Sequence, residues 1–211
     1  MTGVTGMSIL DLSPVIPVVV VHDVDDAAPL ARALVDGGVG VIELTLRTPV
    51  ALEAMERITA EVPEIVIGAG TVVDPHQAKA AAAAGAQFLV SPGATLALLD
   101  AMADTGLTVL PGCATISEAL ALRERGLTEL KFFPAQASGG AAYLASVHGP
   151  LPDLRFCPTG GITPANAPDY LALPNVGCVG GTWLTPADTV AQGDWQRITA
   201  LAAAVRDLAV S

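Results

Sequence analysis

The sequence predicts an α/β fold in which eight strand–helix units form a compact, single-domain (β/α)8 barrel. The first observation is a rhythm, in which short β-rich runs alternate with Ala- and Leu-rich stretches of helical period. The second is the length, because eight such units fill the 211 residues at about 26 residues each. The third is that no low-complexity stretch interrupts the series, so we expect one domain over residues 1–211.

The predicted strands are short apolar runs that follow one another along the whole chain. In order they are "VIPVVVV" (15–21), "VGVIELTL" (39–46), "IVIGAGT" (65–71), "FLVSPG" (88–93), "TVLPG" (108–112), "ELKFFPA" (129–135), "RFCPTGG" (155–161) and "CVGGTWL" (178–184). The helices predicted after them lie near residues 25–36, 48–61, 75–84, 95–104, 116–125, 139–147, 164–172 and 187–209.

The main alternative fold is a doubly wound open sheet. That fold would place signature glycines directly after the first strand, and "VVVVHDVDD" contains none. The barrel is therefore favoured. In that architecture the chemistry gathers at the C-terminal ends of the strands.

Composition excludes several classes of protein. Hydrophobic residues make up 52% of the chain and charged residues 15%, which is far from the composition of a disordered chain. The formal net charge of −11 disfavours a nucleic-acid partner, because phosphate backbones require cationic patches.

Three further features of the sequence indicate the cellular compartment and whether a metal or a membrane is involved. The three cysteines lie far apart, so we expect free thiols in a reducing cytoplasm. No two histidines have metal-ligand spacing, and we expect no metal. The run "VIPVVVV" is short and interrupted by Pro17, which predicts a strand and no membrane partner.

The second predicted strand carries charged residues on one face. In "VIELTLRT", alternation places Glu43, Thr45 and Arg47 on the side opposite the apolar residues, so these three should point into the barrel. A carboxylate and a guanidinium inside a barrel indicate a functional site. The alternative is a buried Glu43–Arg47 ion pair with a purely architectural role.

The sixth predicted strand contains one of only two lysines in the chain. In "ELKFFPA", Leu130 and Phe132 should face the helices, and Lys131 and Phe133 the barrel interior. Poor hydration and the proximity of Arg47 would both favour the neutral amine. A neutral amine attacks a carbonyl carbon to form a Schiff base. In the alternative register, the Lys131 side chain would extend outward to the solvent. Leu130 and Phe132 would then point into the barrel.

Paired glycines end the last two strands. "CPTGGITPAN" (157–166) and "VGGTWL" (179–184) offer backbone N–H groups at the position where barrels of this kind bind phosphate. A plain turn explains one such pair, but two on consecutive strands favour a phosphate site. The small residues before Thr71 in "GAGTV" (68–72) allow close approach of a ligand, although a tight turn explains them equally well.

The set "VIELTLRT", "IGAGTV", "SPG", "KFFPA", "PTGGI" and "GGTWL", in this order, resembles the 2-keto-3-deoxy-6-phosphogluconate (KDPG) aldolases, which include 4-hydroxy-2-oxoglutarate aldolases. The resemblance extends from about Pro14 to the last predicted helix. It implies a class I, metal-independent, Schiff-base aldolase without a cofactor, built as a (β/α)8 TIM barrel and usually assembled as a homotrimer. The substrate would be a phosphorylated keto acid.

The resemblance also implies a role for individual residues. Lys131 would form the Schiff base, Glu43 would act as general acid and base, and Arg47 with Thr71 would bind the keto-acid carboxylate. The residues expected near the rest of the substrate are Pro92, Phe133, Thr159, Gly160, Gly161, Gly180, Gly181 and Thr182.

Two positions depart from the pattern of many relatives. Thr182 stands where many have Ser and keeps the hydroxyl, whereas Gln136 stands where many have Glu. "PGCAT" (111–115) resembles the galactonate-type aldolases, while "LTLRT" favours the gluconate type.

The expected reaction is cleavage of KDPG to pyruvate and glyceraldehyde 3-phosphate, with 4-hydroxy-2-oxoglutarate as a further substrate. Three alternatives stay open at this stage: a galactonate-type aldolase, a non-covalent sugar-phosphate isomerase or epimerase, and a silent sugar-phosphate sensor.

Overall fold

A computed structural model describes residues 8–209 of the chain, with the side chains of residues 206 and 209 left out. Strands and helices alternate along it, as the sequence predicts. The strands are β1 Val15–Val19, β2 Val41–Thr45, β3 Val66–Gly70, β4 Phe88–Val90, β5 Thr108–Leu110, β6 Gly112–Cys113, β7 Glu129–Phe132, β8 Arg155–Pro158 and β9 Val179–Gly181. The helices are α1 Ala27–Asp36, α2 Ala51–Glu61, α3 Pro75–Ala83, α4 Leu96–Ala103, α5 Ile116–Glu124, α6 Gly140–His148, α7 Ala167–Leu171, α8 Ala187–Ala191 and α9 Trp195–Ala203.

All strand pairs are parallel and fall into two ladders. One has the order β5-β4-β3-β2-β1-β9 and the other β6-β7-β8. The predicted fifth strand is divided at Pro111, which has no N–H to donate to a ladder. Its carbonyl oxygen accepts a hydrogen bond from the N–H of Lys131 at 2.9 Å. The parallel α/β fold is confirmed.

The last predicted helix is wrong as a single element. In place of one helix over 187–209, α8 ends before Gly193, α9 begins after it, and a 3₁₀ helix follows at Ala204–Ala209. Gly193 adopts a φ of 64°, which ends α8, and the Asp194 carboxylate accepts from the N–H of Arg197 to begin α9. Helix α7 also begins three residues later than predicted.

The hydrophobic core lies between the strands and the surrounding helices. Leu130 and Phe132 of β7 are buried there, and the Phe132 ring stacks on Tyr143 of α6 with centroids 5.4 Å apart. Leu44 of β2 is buried in the same core. Within β2 and β7 the predicted alternation is confirmed, and it leaves Glu43 and Lys131 on the face opposite these apolar residues.

Salt bridges connect the N-terminal ends of β7 and β8. Glu129 and Arg155 are neighbours in the ladder, and the Arg155 guanidinium contacts the carboxylates of Glu129 at 3.2 Å and Asp11 at 2.5 Å. The hydrogen bond from Arg155 lowers the pKa of Asp11. This cluster fixes the strand pair that carries Lys131, at the end opposite the predicted chemistry.

Within residues 8–209, no helix is both long enough and apolar enough to cross a membrane.

Candidate active site

The centre of the candidate site is an ion pair inside the strand layer. Lys131 of β7 donates from Nζ to Oε1 of Glu43 on β2 at 2.9 Å, and the two residues are 3% and 2% exposed. Strand β2 belongs to one ladder and β7 to the other, so the pair links the two ladders. A buried pair of this kind must compensate the loss of hydration of both charges.

Arg47 lies beyond the end of β2. Strand β2 ends at Thr45, so the alternation no longer determines the side-chain direction at Arg47, which is exposed. The charged partner of Lys131 is Glu43, and neither the expected influence of Arg47 on the lysine nor a Glu43–Arg47 ion pair is among the contacts of the described residues. The direct Lys131–Glu43 contact was not predicted.

The end of β3 is shaped to receive the Glu43 carboxylate. A side chain at Gly70 would collide with Oε1 of Glu43, so glycine is required there by close approach. The small residues of "GAG" thus make room for a neighbouring side chain as well as for a ligand.

Thr71 follows Gly70 and holds Arg47. Its φ of 60° is the one positive value at a non-glycine position among the described residues, and it is unusual for a β-branched residue. The Thr71 hydroxyl accepts a hydrogen bond from Nε of Arg47 at 3.0 Å. The guanidinium nitrogens beyond Nε could still form a planar fork for a carboxylate.

Phe133 lies next to Lys131, and Pro92 lies against the neighbouring strand β6. The half-buried Phe133 ring has its centroid 5.5 Å from Nζ of Lys131. A side chain at Gly112 would collide with the backbone of Pro92, and Gly112 is the ladder partner of Lys131 on β6. Phe133 thus directly follows β7, and Pro92 lies against the strand that pairs with β7 at Lys131.

The predicted phosphate residues also come together. Thr159 and Gly180 form a parallel bridge between the ends of β8 and β9, and a side chain at Gly180 would collide with Oγ1 of Thr159. Gly160 and Gly161 follow with φ values of 99° and 76°. On the other strand, Gly181 packs under the Trp183 ring and Thr182 is exposed.

A cavity of about 590 Å³ opens beside these residues, lined by Val18, Val20, His22, Thr182 and Trp183 among others. Lys131 and Glu43 do not line it. A second cavity, of about 350 Å³, is lined by residues such as Asp11 and Pro14, near the charged cluster at the other end of the strands, and contains none of the predicted site residues.

The three cysteines lie in the protein interior. Cys113, Cys157 and Cys178 are free and buried. Burial raises the pKa of Cys113 to about 12, and a hydrogen bond with Cys157, together with burial, raises the pKa of Cys178, so these two thiols are poor nucleophiles. Over residues 8–209, no group of three or more His, Cys, Asp or Glu side chains is arranged to hold a metal ion.

Two carboxamides beside the paired glycines were not predicted as site residues. Gln136 donates to the loop at 159–163 from its backbone N–H, to the carbonyl of Gly160, whereas Asn166 contacts the loop through its side chain. "PAN" at the start of a predicted helix suggests only a cap, and nothing in that pattern indicates that the Asn166 side chain faces back toward the loop.

Comparison with known proteins gives consistent matches over almost the whole chain. The sequence model of the family described as "Aldolase: KDPG and KHG aldolase" matches residues 7–201. The chain is 52% identical to the "KHG/KDPG aldolase" of Escherichia coli (strain K12) over 195 residues, 92% of each chain. It is 50% identical to the "2-dehydro-3-deoxy-phosphogluconate aldolase" of Pseudoalteromonas atlantica (strain T6c / ATCC BAA-1087), over 94% of this chain and 93% of the relative.

A solved structure of similar sequence carries a covalent intermediate. It is the KDPG aldolase from Legionella pneumophila "with pyruvate captured at low pH as a covalent carbinolamine intermediate". It superimposes with a TM-score of 0.91 at 46% identity, covering 93% of this chain and 95% of that chain.

Proposed function

The chain belongs to the KDPG and KHG aldolase family, and from that premise we propose that it cleaves KDPG to pyruvate and glyceraldehyde 3-phosphate through a Schiff base on Lys131. Enzymes of this family are carbon–carbon lyases. The observation that carries the assignment is the buried contact of 2.9 Å between Nζ of Lys131 and Oε1 of Glu43. It places a proton acceptor directly on the amine that must become a nucleophile.

The pair accounts for each proton in the formation of the Schiff base. Glu43 takes a proton from the Lys131 ammonium, and the free amine attacks the substrate ketone carbon. Glu43 then passes protons from nitrogen to oxygen, so that the carbinolamine loses water and an iminium remains. The carboxylate of Glu43 is thereby regenerated.

The same carboxylate serves the cleavage step. It accepts the proton of the substrate hydroxyl as the adjacent carbon–carbon bond breaks into the iminium, and glyceraldehyde 3-phosphate leaves. Protonation of the enamine and addition of water then release pyruvate and restore the amine. One acid–base group in contact with the nitrogen is sufficient for the whole sequence.

Binding groups are proposed for the two anionic ends of the substrate. Arg47, oriented by Thr71, binds the keto-acid carboxylate. The ends of β8 and β9 bind the phosphate, with Thr159, Gly160, Gly161, Gly180, Gly181 and Thr182 around it. Pro92 and Phe133 complete the wall of the pocket near the lysine.

Cleavage of 4-hydroxy-2-oxoglutarate is proposed as a second reaction, because the name of the Escherichia coli relative includes both activities. The galactonate-type alternative is weaker, since the structure described as "Native KDPGal structure" is 30% identical. An isomerase using Glu43 alone would not require a lysine on that carboxylate.

We further propose that the two ladders form one closed (β/α)8 barrel and a single domain. Only Pro111 separates β5 from β6, and the Thr159–Gly180 bridge joins β8 to β9. The Lys131–Glu43 pair spans the interior that such a barrel would enclose. We also propose a cytoplasmic location, which is consistent with three free cysteines.

A homotrimer is proposed from the exposed apolar surface. The large hydrophobic residues exposed within residues 8–209 are Val73, Leu96, Ile116 and Leu120. Leu96 and Ile116 begin consecutive helices, α4 and α5, and an apolar area shared by neighbouring helices is suited to self-association.

Measurement of pyruvate release tests the proposed reaction. The wild-type chain should release pyruvate from both KDPG and 4-hydroxy-2-oxoglutarate. Lys131→Met should abolish release, and Lys79→Met, which alters the only other lysine in the chain, should leave it unchanged. Release of pyruvate by Lys131→Met would rule out the proposed mechanism.

A further inference from the structure

The loop after β8 adopts a conformation that needs external support. Gly160 and Gly161 have consecutive left-handed φ values of 99° and 76°. Glycine reaches such values readily but loses more conformational freedom than other residues when it is fixed there. Contacts outside the two glycines must therefore select this conformation.

Those contacts engage the carbonyl oxygens of both glycines. The carbonyl of Gly160 accepts from the N–H of Gln136 at 3.0 Å. The carbonyl of Gly161 accepts from Nδ2 of Asn166, also at 3.0 Å. Gln136 is held in turn, because the buried Tyr170 hydroxyl donates to its Oε1 at 2.9 Å.

The orientation of the Asn166 carboxamide is fixed by two opposite partners. Its Nδ2 faces a carbonyl oxygen, while its Oδ1 accepts from the N–H of Thr163 at 2.8 Å. Asn166 stands at the N-cap position of α7, yet its side chain does not cap that helix. A residue type favoured for capping instead binds the preceding loop.

The carbonyl contacts determine where the amide protons point. In a planar trans peptide, the C=O of one residue and the N–H of the next point in opposite directions. With the carbonyls of Gly160 and Gly161 turned to Gln136 and Asn166, the N–H groups of Gly161 and Ile162 point away from them. Successive N–H groups in a loop of this kind form a concavity for an anion.

We propose that Asn166 is a positioning residue that confers preference for a phosphorylated substrate. Its carboxamide holds the Gly161–Ile162 peptide so that the amide proton of Ile162 faces the phosphate. This inference rests on the proposed function, which places the phosphate at this loop.

Kinetics with two substrates distinguish a specific effect on phosphate binding from a general loss of activity. Asn166→Ala should raise the KM for KDPG about three- to tenfold, the effect of one lost hydrogen bond. Its kinetic constants for 4-hydroxy-2-oxoglutarate, which has no phosphate, should stay within about twofold of the wild-type values. An equal loss on both substrates would overturn the proposal.

Two further variants identify the contact responsible. Asn166→Asp keeps the acceptor for Thr163 N–H but cannot donate to Gly161, so it should behave like Asn166→Ala even at an ionic strength that screens its added charge. Thr163→Ala, which removes only a weak 3.4 Å contact to the N–H of Asn166, should behave like wild type. If Asn166→Asp has the wild-type KM for KDPG, the bond to the Gly161 carbonyl is not needed for phosphate binding. Asn166 would then serve only to stabilise the turn at Thr163, and the proposal would be wrong.

A binding measurement tests the loop independently of turnover. Amide NMR signals of Gly161 and Ile162 should shift when inorganic phosphate is added to wild-type protein, and the Ile162 shift should be lost in Asn166→Ala. An unmoved Ile162 signal in wild type would contradict the inference even if the enzyme cleaves KDPG. If the chain cleaves neither substrate, but the Ile162 shift appears in wild type and is lost in Asn166→Ala, the proposed function is contradicted and the role of Asn166 in holding the phosphate loop is supported.

Discussion

At the scale of single residues, the interior lysine is accommodated by its contact with Glu43. Each residue is almost fully buried, so the two charges compensate one another in a poorly hydrated region. Removing either side chain leaves the other charge without its partner. The pair therefore affects stability as well as chemistry, and the two effects can be separated by mutation.

Single and double variants should show strong coupling. Lys131→Met and Glu43→Gln should each lower the free energy of unfolding by about 3 kcal/mol, because each leaves an unpaired buried charge. The double variant should be inactive, but its loss in free energy of unfolding should be much smaller than the sum of the losses of the two single variants. Urea unfolding of all four proteins checks this, and additive losses would show that the two side chains do not interact.

A second residue-scale prediction concerns the backbone at Thr71. Thr71→Gly should be more stable than Thr71→Ala by about 1 kcal/mol, because only glycine accepts a φ of 60° without strain. Both variants remove the hydroxyl that holds Arg47, so both should raise the KM for the keto acid. Thermal unfolding and initial rates measure the two effects, and equal stability of the two variants would refute the strain argument.

Strand alternation was sufficient to predict that Glu43 and Lys131 face inward. It could not predict their contact, because that depends on which strands face each other across the interior. Arg47 shows where the rule stops, since alternation ends with the strand at Thr45. The positive φ of Thr71 could not be predicted either, because β-branched residues normally avoid the left-handed conformation.

At the scale of elements, α5 shows how local sequence fixes a helix start. Thr115 and Glu118 form a reciprocal capping box, in which the Thr115 side chain accepts from the N–H of Glu118, and the Glu118 carboxylate accepts from the N–H of Thr115. Further hydrogen bonds, above all from the N–H of Ala114, lower the pKa of Glu118. This box was predictable from the three-residue spacing alone.

The contribution of Glu118 to stability should depend on pH. Because its pKa in the folded state lies below the ordinary 4.5, the stabilisation is present above that value and is lost as pH falls through the folded pKa. Glu118→Ala should lower the free energy of unfolding by about 0.5–1 kcal/mol at neutral pH and by less at acidic pH, as measured by urea unfolding at each pH. Glu124→Ala, at the other end of α5, serves as control and should cost nothing. A constant cost across pH would contradict the assignment.

The end of the chain shows why element boundaries were harder to predict. The segment 187–209 is rich in Ala and helix-forming residues, which suggested one helix. Gly193 is compatible with a helix interior by itself, and its left-handed φ arises from the way α8 and α9 are joined. Packing, rather than propensity, decides between a tolerated glycine and a break.

At the scale of the whole molecule, the regular succession of strands and helices was readable from the sequence because each element is short and strongly patterned. The closure of the sheet depends on longer-range pairing, and the ladder is weakest where Pro111 and the Thr159–Gly180 bridge replace regular strand pairs. The arrangement of exposed apolar residues likewise depends on which helices become neighbours.

The proposed trimer makes a prediction at this scale. Sedimentation equilibrium should give three times the mass of one chain. Leu96→Asp should weaken assembly because, within residues 8–209, Leu96 is the most exposed of the large apolar residues, at 68%. Ala97→Asp introduces the same charge one position along the helix and serves as control. A monomer at all concentrations would refute the proposal.

The most direct test of the central claim is capture of the Schiff base. Incubation with pyruvate followed by borohydride reduction should attach pyruvate irreversibly to Lys131, as located by peptide mass spectrometry, and Lys131→Met should take up none. The absence of any adduct, or an adduct on Lys79, would contradict the account.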